Sequence, residues 1–139
     1  MRDIRLLVSG GRTFDDDREL DRVLSAVHAK FGIAYLIQGE APGADTLAKG
    51  WAHSKKIAVS DGDFKANWDL YGNRAGLRRN QLMLDDGRPD FAVCFPGGDG
   101  TADMRRRLVT YGNPFMWAKA HPVIAMGVPV RPIYEWIRM

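Results

Sequence analysis

Apolar residues along this chain fall into short, nearly unbroken runs, separated by longer stretches in which they recur every three or four positions. Ile4-Arg5-Leu6-Leu7-Val8 is the first run, halted by Gly10-Gly11, and it predicts a strand. Asp15-Asp16-Asp17 then sets carboxylates where a helix N-terminus favours them. Leu20, Val23, Leu24, Val27 and Phe31 follow at helical spacing, with Gly32 as the stop. Ile33–Ile37 predicts a buried strand, residues 43–55 a helix with Leu47, Ala48, Trp51 and Ala52 on one face, and Ile57–Val59 a short strand. Residues 60–74 read as irregular, Ala75–Asp85 as a helix, and Phe91–Phe95 as a fourth strand cut by Pro96-Gly97-Gly98. A further helix should begin near Thr101 and a last strand should lie at Val128–Tyr134, while the pattern of 111–126, with Gly112-Asn113-Pro114 and His121-Pro122, assigns it no particular structure.

Strands alternate with helices, and the strands lack the polar alternation of a half-exposed sheet. That pattern belongs to a parallel sheet covered on both faces. The expectation is α/β: a three-layer, Rossmann-like sandwich with a mostly parallel sheet of about five strands, residues 1–139 forming one domain.

Composition narrows the classes. No apolar run approaches the ~20 residues that span a bilayer, and the first run is too short for a secretory signal core. A single cysteine, Cys94, allows neither an internal disulfide nor a cysteine-built zinc site, so a reducing, cytoplasmic home is expected. His28, His53 and His121 show no metal-ligand spacing; neither a metal nor a cofactor is expected. The net charge of +3 is uneven: residues 1–70 sum to −1 and residues 71–139 to +4. Arg74, Arg78, Arg79 and Arg105–Arg107 make up most of the excess, the last three reading as a solvated helix face. A local arginine cluster suits an anionic ligand of any size.

Glycine is over-represented, 15 of 139 residues against a usual share of roughly 7%. Seven of the 15 fall in three loops at strand C-terminal ends: Gly10–Thr13, Gly39–Asp45 and Pro96–Thr101. Parallel sheets bind ligands beyond those ends. Glycine lets a ligand approach the main chain, and a helix opening directly afterwards offers unpaired N–H groups. Phosphate fits that chemistry. Neither a P-loop nor a full G-x-G-x-x-G is present, so an ordinary NTPase or dinucleotide dehydrogenase is disfavoured.

Pro96-Gly97-Gly98-Asp99-Gly100-Thr101 resembles the PGGxGT signature of the SLOG superfamily, Rossmann-like proteins that include lonely-guy phosphoribohydrolases and DNA-processing protein A. The ordered series Ser9–Phe14, Gly43-Ala44-Asp45, Trp68, Tyr71-Gly72, Ala75-Gly76, Arg79-Asn80, Met83 and Phe95–Met104 is similar to the YspA, YpsA-related branch, over residues 4–107. The resemblance implies a site for a nucleotide or nucleotide-derived, ADP-ribose-like ligand. It implies a phosphate cradle of Pro96, Gly97, Gly98, Gly100 and Thr101, beside Gly10, Gly11, Gly43 and Asn80. Arg12 and Arg79 would neutralise phosphate, Asp45 would meet a ribose hydroxyl or move a proton, and Trp68 or Tyr71 would stack on a base.

In the phosphoribohydrolases the signature continues as PGGxGTxxE, and the glutamate is catalytic. Met104 stands at that position here, and a thioether cannot transfer a proton. Asp103, one residue earlier, is turned by about 100° on a helix. Asp45, Asp103 and Glu40 are the candidate catalytic carboxylates, none specified by spacing. The expected function is therefore binding, as a sensor or sequestering module for a small nucleotide-derived ligand. Nucleotide hydrolysis is the alternative and single-stranded DNA binding a second one. Neither a membrane nor nucleic acid is the expected partner. A homo-oligomer is left open, with Tyr134–Ile137 as a subunit contact or a strand end.

Overall fold

The first apolar run is buried on both sides, which decides the architecture. A computed structural model describes residues 3–111 and 115–117, and in it Leu6, Leu7 and Val8 of β1 (Ile4–Ser9) are fully buried. Leu6 and Val8 join one hydrophobic cluster, and Leu7 joins another on the opposite face. A strand shielded twice over must be central. β1 pairs in parallel with β2 (Ile33–Ile37) on one side and β4 (Phe91–Cys94) on the other. β3 (Ala58–Val59) and β5 (Phe115–Trp117) complete a five-stranded parallel sheet of order β3-β2-β1-β4-β5. The Rossmann-like reading holds. Each fully buried leucine or valine contributes about 1.5–3 kcal/mol relative to exposure.

α1 (Asp17–Phe31) and α2 (Ala44–Ser54) cover one face. Asp16 caps α1 by accepting from Glu19 N at 3.1 Å, and Leu20, Val23, Leu24 and Val27 form its buried stripe. Gly32, at φ 75°, ends it with an N–H donated to His28 O. α4 (Ala75–Asp85) and α5 (Asp99–Tyr111) cover the other face with Met83, Leu84, Met104 and Leu108.

The structure corrects one reading and sharpens two. The stretch 60–74 is not wholly irregular: α3 (Trp68–Tyr71) and a 3-10 turn at Gly72–Arg74 lead into α4. Asn67 caps α3 by accepting from Leu70 N at 3.0 Å, and four residues are too few to show a helical period. The segment 111–126 contains β5, three residues directly after Pro114 and held by pairing with β4. α5 begins at Asp99, two residues ahead of Thr101. The strand expected at Val128–Tyr134 and the Tyr134–Ile137 segment lie outside the described residues. Among the described residues no helix is long and apolar enough to cross a membrane.

Candidate functional site

The strand order reverses between β1 and β4, and the loops leaving those two strands meet over the reversal, where open α/β sheets form a crevice. Gly11 N donates to Pro96 O at 2.9 Å, and Ala44 N donates to Gly11 O at 3.1 Å, so all three glycine loops are stitched together. Contact this close demands glycine. A Cβ on Gly10 would lie 2.5 Å from Ala44 Cβ and 2.9 Å from Phe95 Cβ. One on Gly97 would collide with Thr101 Oγ1 and approach Gly11 N to 2.6 Å. Gly98 and Gly100 differ, because a Cβ there meets nothing within 4 Å. They open the first turn of α5 to a cleft of about 1090 Å³.

That cleft gathers most of the expected ligand residues. Gly10, Gly11, Arg12 and Asp45 line one side, and the Pro96–Thr101 loop lines another. Trp68, Arg79 and Asn80 close it from α3 and α4. Gly76, Asn73 and Arg106 also line it, though the sequence reading gave them no role. Gly76 had a signal in the Ala75-Gly76 pair: its bare Cα faces the Trp68 ring and the Arg79 guanidinium, 3.5 and 3.6 Å from a Cβ placed there.

Three expected residues are not in the cleft. Gly43, at φ 83°, supports the first loop from behind, and a side chain there would strike the Gly11 carbonyl. Glu40 is drawn away to Lys49 Nζ at 3.1 Å and Gly62 N at 2.7 Å. Burial pushes the Glu40 carboxyl up, but hydrogen bonds from Gly62, Gln38 and Lys49 outweigh it and hold it below its ordinary value. Tyr71 lies outside, its ring 4.1 Å beneath the Arg78 guanidinium. Arg105–Arg107 is more than a solvated face, since Arg107 donates to Asp103 at 2.7 Å and to Gln81 at 2.7 Å.

Asp45 is the chemically unusual group. It is 6% exposed, and its Oδ2 accepts from Gly39 N at 3.2 Å and Ala41 N at 3.3 Å. Among the described residues no hydrogen bond reaches Oδ1. Burial pushes the carboxyl up to about 6 against the pull of Arg79 and the two amides. Arg79 donates to Gly39 O at 2.6 Å and to Asn80 Oδ1 at 3.1 Å. Burial lowers its pKa, Asp45 opposes that, and repulsion from Arg12 adds to it. Asn80, also buried, donates to Gly100 O at 3.1 Å and Asp103 Oδ2 at 3.0 Å, tying the α5 loop to α4.

Met104 is fully buried against the sheet, among Leu7, Met83 and Leu84, while Asp103 lines the cleft. The rotation expected on α5 is observed, but Asp103 is held by Arg107 and Asn80. Burial pushes the Cys94 thiol up to about 12, leaving a small core hydrophobe. Among the described residues no cluster of three or more His, Cys, Asp or Glu side chains could hold a metal ion.

The model of one family, the YspA, cpYpsA-related SLOG family, matches residues 4–71. The Gene 61 protein of Mycobacterium phage D29 is 30% identical in an alignment covering 79% of this chain and 92% of that relative.

Proposed function

Given that the chain belongs to the YspA, cpYpsA-related SLOG family, we propose that its cleft binds a phosphate-bearing, nucleotide-derived ligand of the ADP-ribose type and serves as a sensing or sequestering module. One observation carries this reading: the guanidinium groups of Arg12 and Arg79 repel one another across a cleft into which Gly98 and Gly100 open the start of α5. An anion placed between them relieves that repulsion and takes up amides at the helix N-terminus. The Asp45 Oδ1, without a hydrogen bond among the described residues, suits a ribose hydroxyl, and half-exposed Trp68 offers an aromatic face at the rim. Asp15, Asp16 and Asp99 also line the cleft, which disfavours a long polyanion such as single-stranded DNA.

A second reading, nucleotide hydrolysis, is favoured by the Asp45 carboxyl, which titrates where a general acid or base works best. Calorimetric titration with AMP, ADP-ribose, NAD, cyclic ADP-ribose and nucleoside 5′-monophosphates, with chromatography of each mixture, separates the two. Saturable binding with the ligand recovered intact supports the module; released base or phosphate supports the hydrolase. Arg79→Ala and Arg12→Ala should each weaken binding by about 10- to 100-fold, the range for a charge-assisted hydrogen bond. If no ligand in the panel binds, the nucleotide reading falls.

A further inference from the structure

Every exposed large hydrophobic side chain among the described residues lies on α3 or α4: Trp68, Leu70, Tyr71, Leu77 and Leu82. On its outer side α4 presents a shallow groove of about 540 Å³ lined by Arg74, Leu77, Arg78, Gln81, Leu82 and Asp85, with Tyr71 of α3 and Arg107 of α5 at its edges. Clustered apolar exposure rimmed by charge marks a contact surface. The charges indicate what covers it.

α4 carries its charge against its own dipole. Its first turn has no acidic residue and its last turn no basic one. Arg74, Arg78 and Arg79 crowd the positive N-terminal end, while Asp85 and Asp86 sit at the negative C-terminal end. Arg74 and Asp85 are eleven residues apart, so they lie within about 20° of each other around the helix and roughly 16 Å apart along it. Gln81 and Arg78 fall between them on the same stripe, and Leu77 and Leu82 flank it on either side.

We propose that this face binds a second copy of the same chain, with the two α4 helices packed antiparallel about a two-fold axis level with residues 79 and 80. A two-fold contact must be self-complementary. This stripe is. Each Arg74 comes level with the partner copy's Asp85, each Arg78 with the partner's Gln81, and the leucines of both flanks are covered. The antiparallel helix also brings its positive end to the Asp85 end of its partner, which relieves the dipole mismatch. A purely acidic peptide would satisfy Arg74 and Arg78 but would meet Asp85 with like charge, and Arg107 at the edge of the groove is already paired with Asp103 at 2.7 Å, so the second copy fits better. Leu77 lines both the groove and the ligand cleft, which places the contact directly behind the site.

The experiment is light scattering on eluting protein, from micromolar to near-millimolar concentration. The wild type should be a dimer. Arg74→Asp and Asp85→Arg should each weaken self-association at least tenfold, because each sets like charges opposite one another. The double swap should restore it, which also shows that neither single variant had simply failed to fold. Leu82→Glu should be a monomer with a wild-type circular dichroism spectrum. A monomeric wild type overturns the proposal, as does a dimer indifferent to all four variants or a double swap that remains dissociated. Protection of α4 from hydrogen exchange in a monomeric wild type would mean that another segment of the chain covers the face, and that too overturns it.

Discussion

Replacing Asp45 with asparagine should stabilise the protein, by an amount that depends on pH. The carboxyl is 6% exposed and titrates at about 6 in the folded chain against 3.8 for an ordinary aspartate. Because the folded-state value is the higher one, the folded protein holds the proton more tightly. Stability from this group is complete below 3.8 and is lost as pH rises through about 6. Two-state titration between those values puts the penalty of the charged form at about 3 kcal/mol near pH 7.5 and about 1 kcal/mol near pH 4.5. The asparagine amide would keep an oxygen for the Gly39 and Ala41 N–H groups and would carry no charge at either pH. Any constant effect of the substitution cancels in the comparison, leaving a pH-dependent difference of about 2 kcal/mol. Urea unfolding of both proteins at the two pH values measures it. A stability difference that is the same at both would refute an Asp45 raised by burial, and a larger asparagine advantage at the acidic value would reverse its sign.

The glycines give a paired test. Gly97→Ala must displace Thr101 or the Gly11 backbone, so it should cost about 1–3 kcal/mol in thermal or urea unfolding. Gly98→Ala meets open space and should leave stability within about 0.5 kcal/mol of wild type while weakening ligand binding; equal stability losses would contradict the division. Met104→Glu restores the phosphoribohydrolase signature but buries a carboxylate among Leu7, Met83 and Leu84. It should lose about 3 kcal/mol or more and release no base from any nucleotide, and a stable, hydrolytic variant would show that the side chain can swing into the cleft. Glu40→Gln should leave ligand binding unchanged yet lower stability at neutral pH, since the wild-type carboxyl is held below 4.5. That deficit should fade as pH falls through the same range, which a melting series from neutral to acid would record.

The layered fold was legible because its strands are buried on both faces. Leu6-Leu7-Val8 and Phe91–Cys94 could be apolar at successive positions only if helices covered each side, and alternate residues do enter opposite clusters. Caps and stops, such as Asp16 and Gly32, follow from local chemistry and were equally readable. α3 and β5 were not, because four- and three-residue elements carry no period and exist through a cap or a neighbouring strand. At the site, spacing identified which loops converge but not the part each residue takes. Glu40 and Asp45 share one loop and one charge. Only the fold turns Asp45 toward the cleft and Glu40 toward Lys49. The glycines, likewise identical in sequence, divide into those that permit loop contact and those that open the cleft, a difference set by atoms distant along the chain.

That sorting of carboxylates bears on catalysis more directly than the signature does. Cleaving an N-glycosidic bond calls for a carboxyl that can face the ribose and either steady a developing cation or activate water. Met104 has left the cleft, Glu40 is committed to Lys49 and Gly62, and Asp103 accepts from both Arg107 and Asn80. Both hydrogen bonds to Asp103 end on its Oδ2, and its Oδ1 pairs with Arg106 at 3.8 Å, so of the three candidate carboxylates Asp45 is the one that faces the cleft without an ion pair among the described residues. Near neutral pH part of its population still holds a proton, so it can accept from a ribose hydroxyl or donate to a leaving base. Binding and hydrolysis thus converge on one side chain, and Asp45→Asn separates them. A binding module loses affinity as its ribose contact weakens, with intact ligand recovered from both proteins. A hydrolase would retain the phosphate contacts of Arg12, Arg79 and the α5 loop, bind with little loss, and cease turnover.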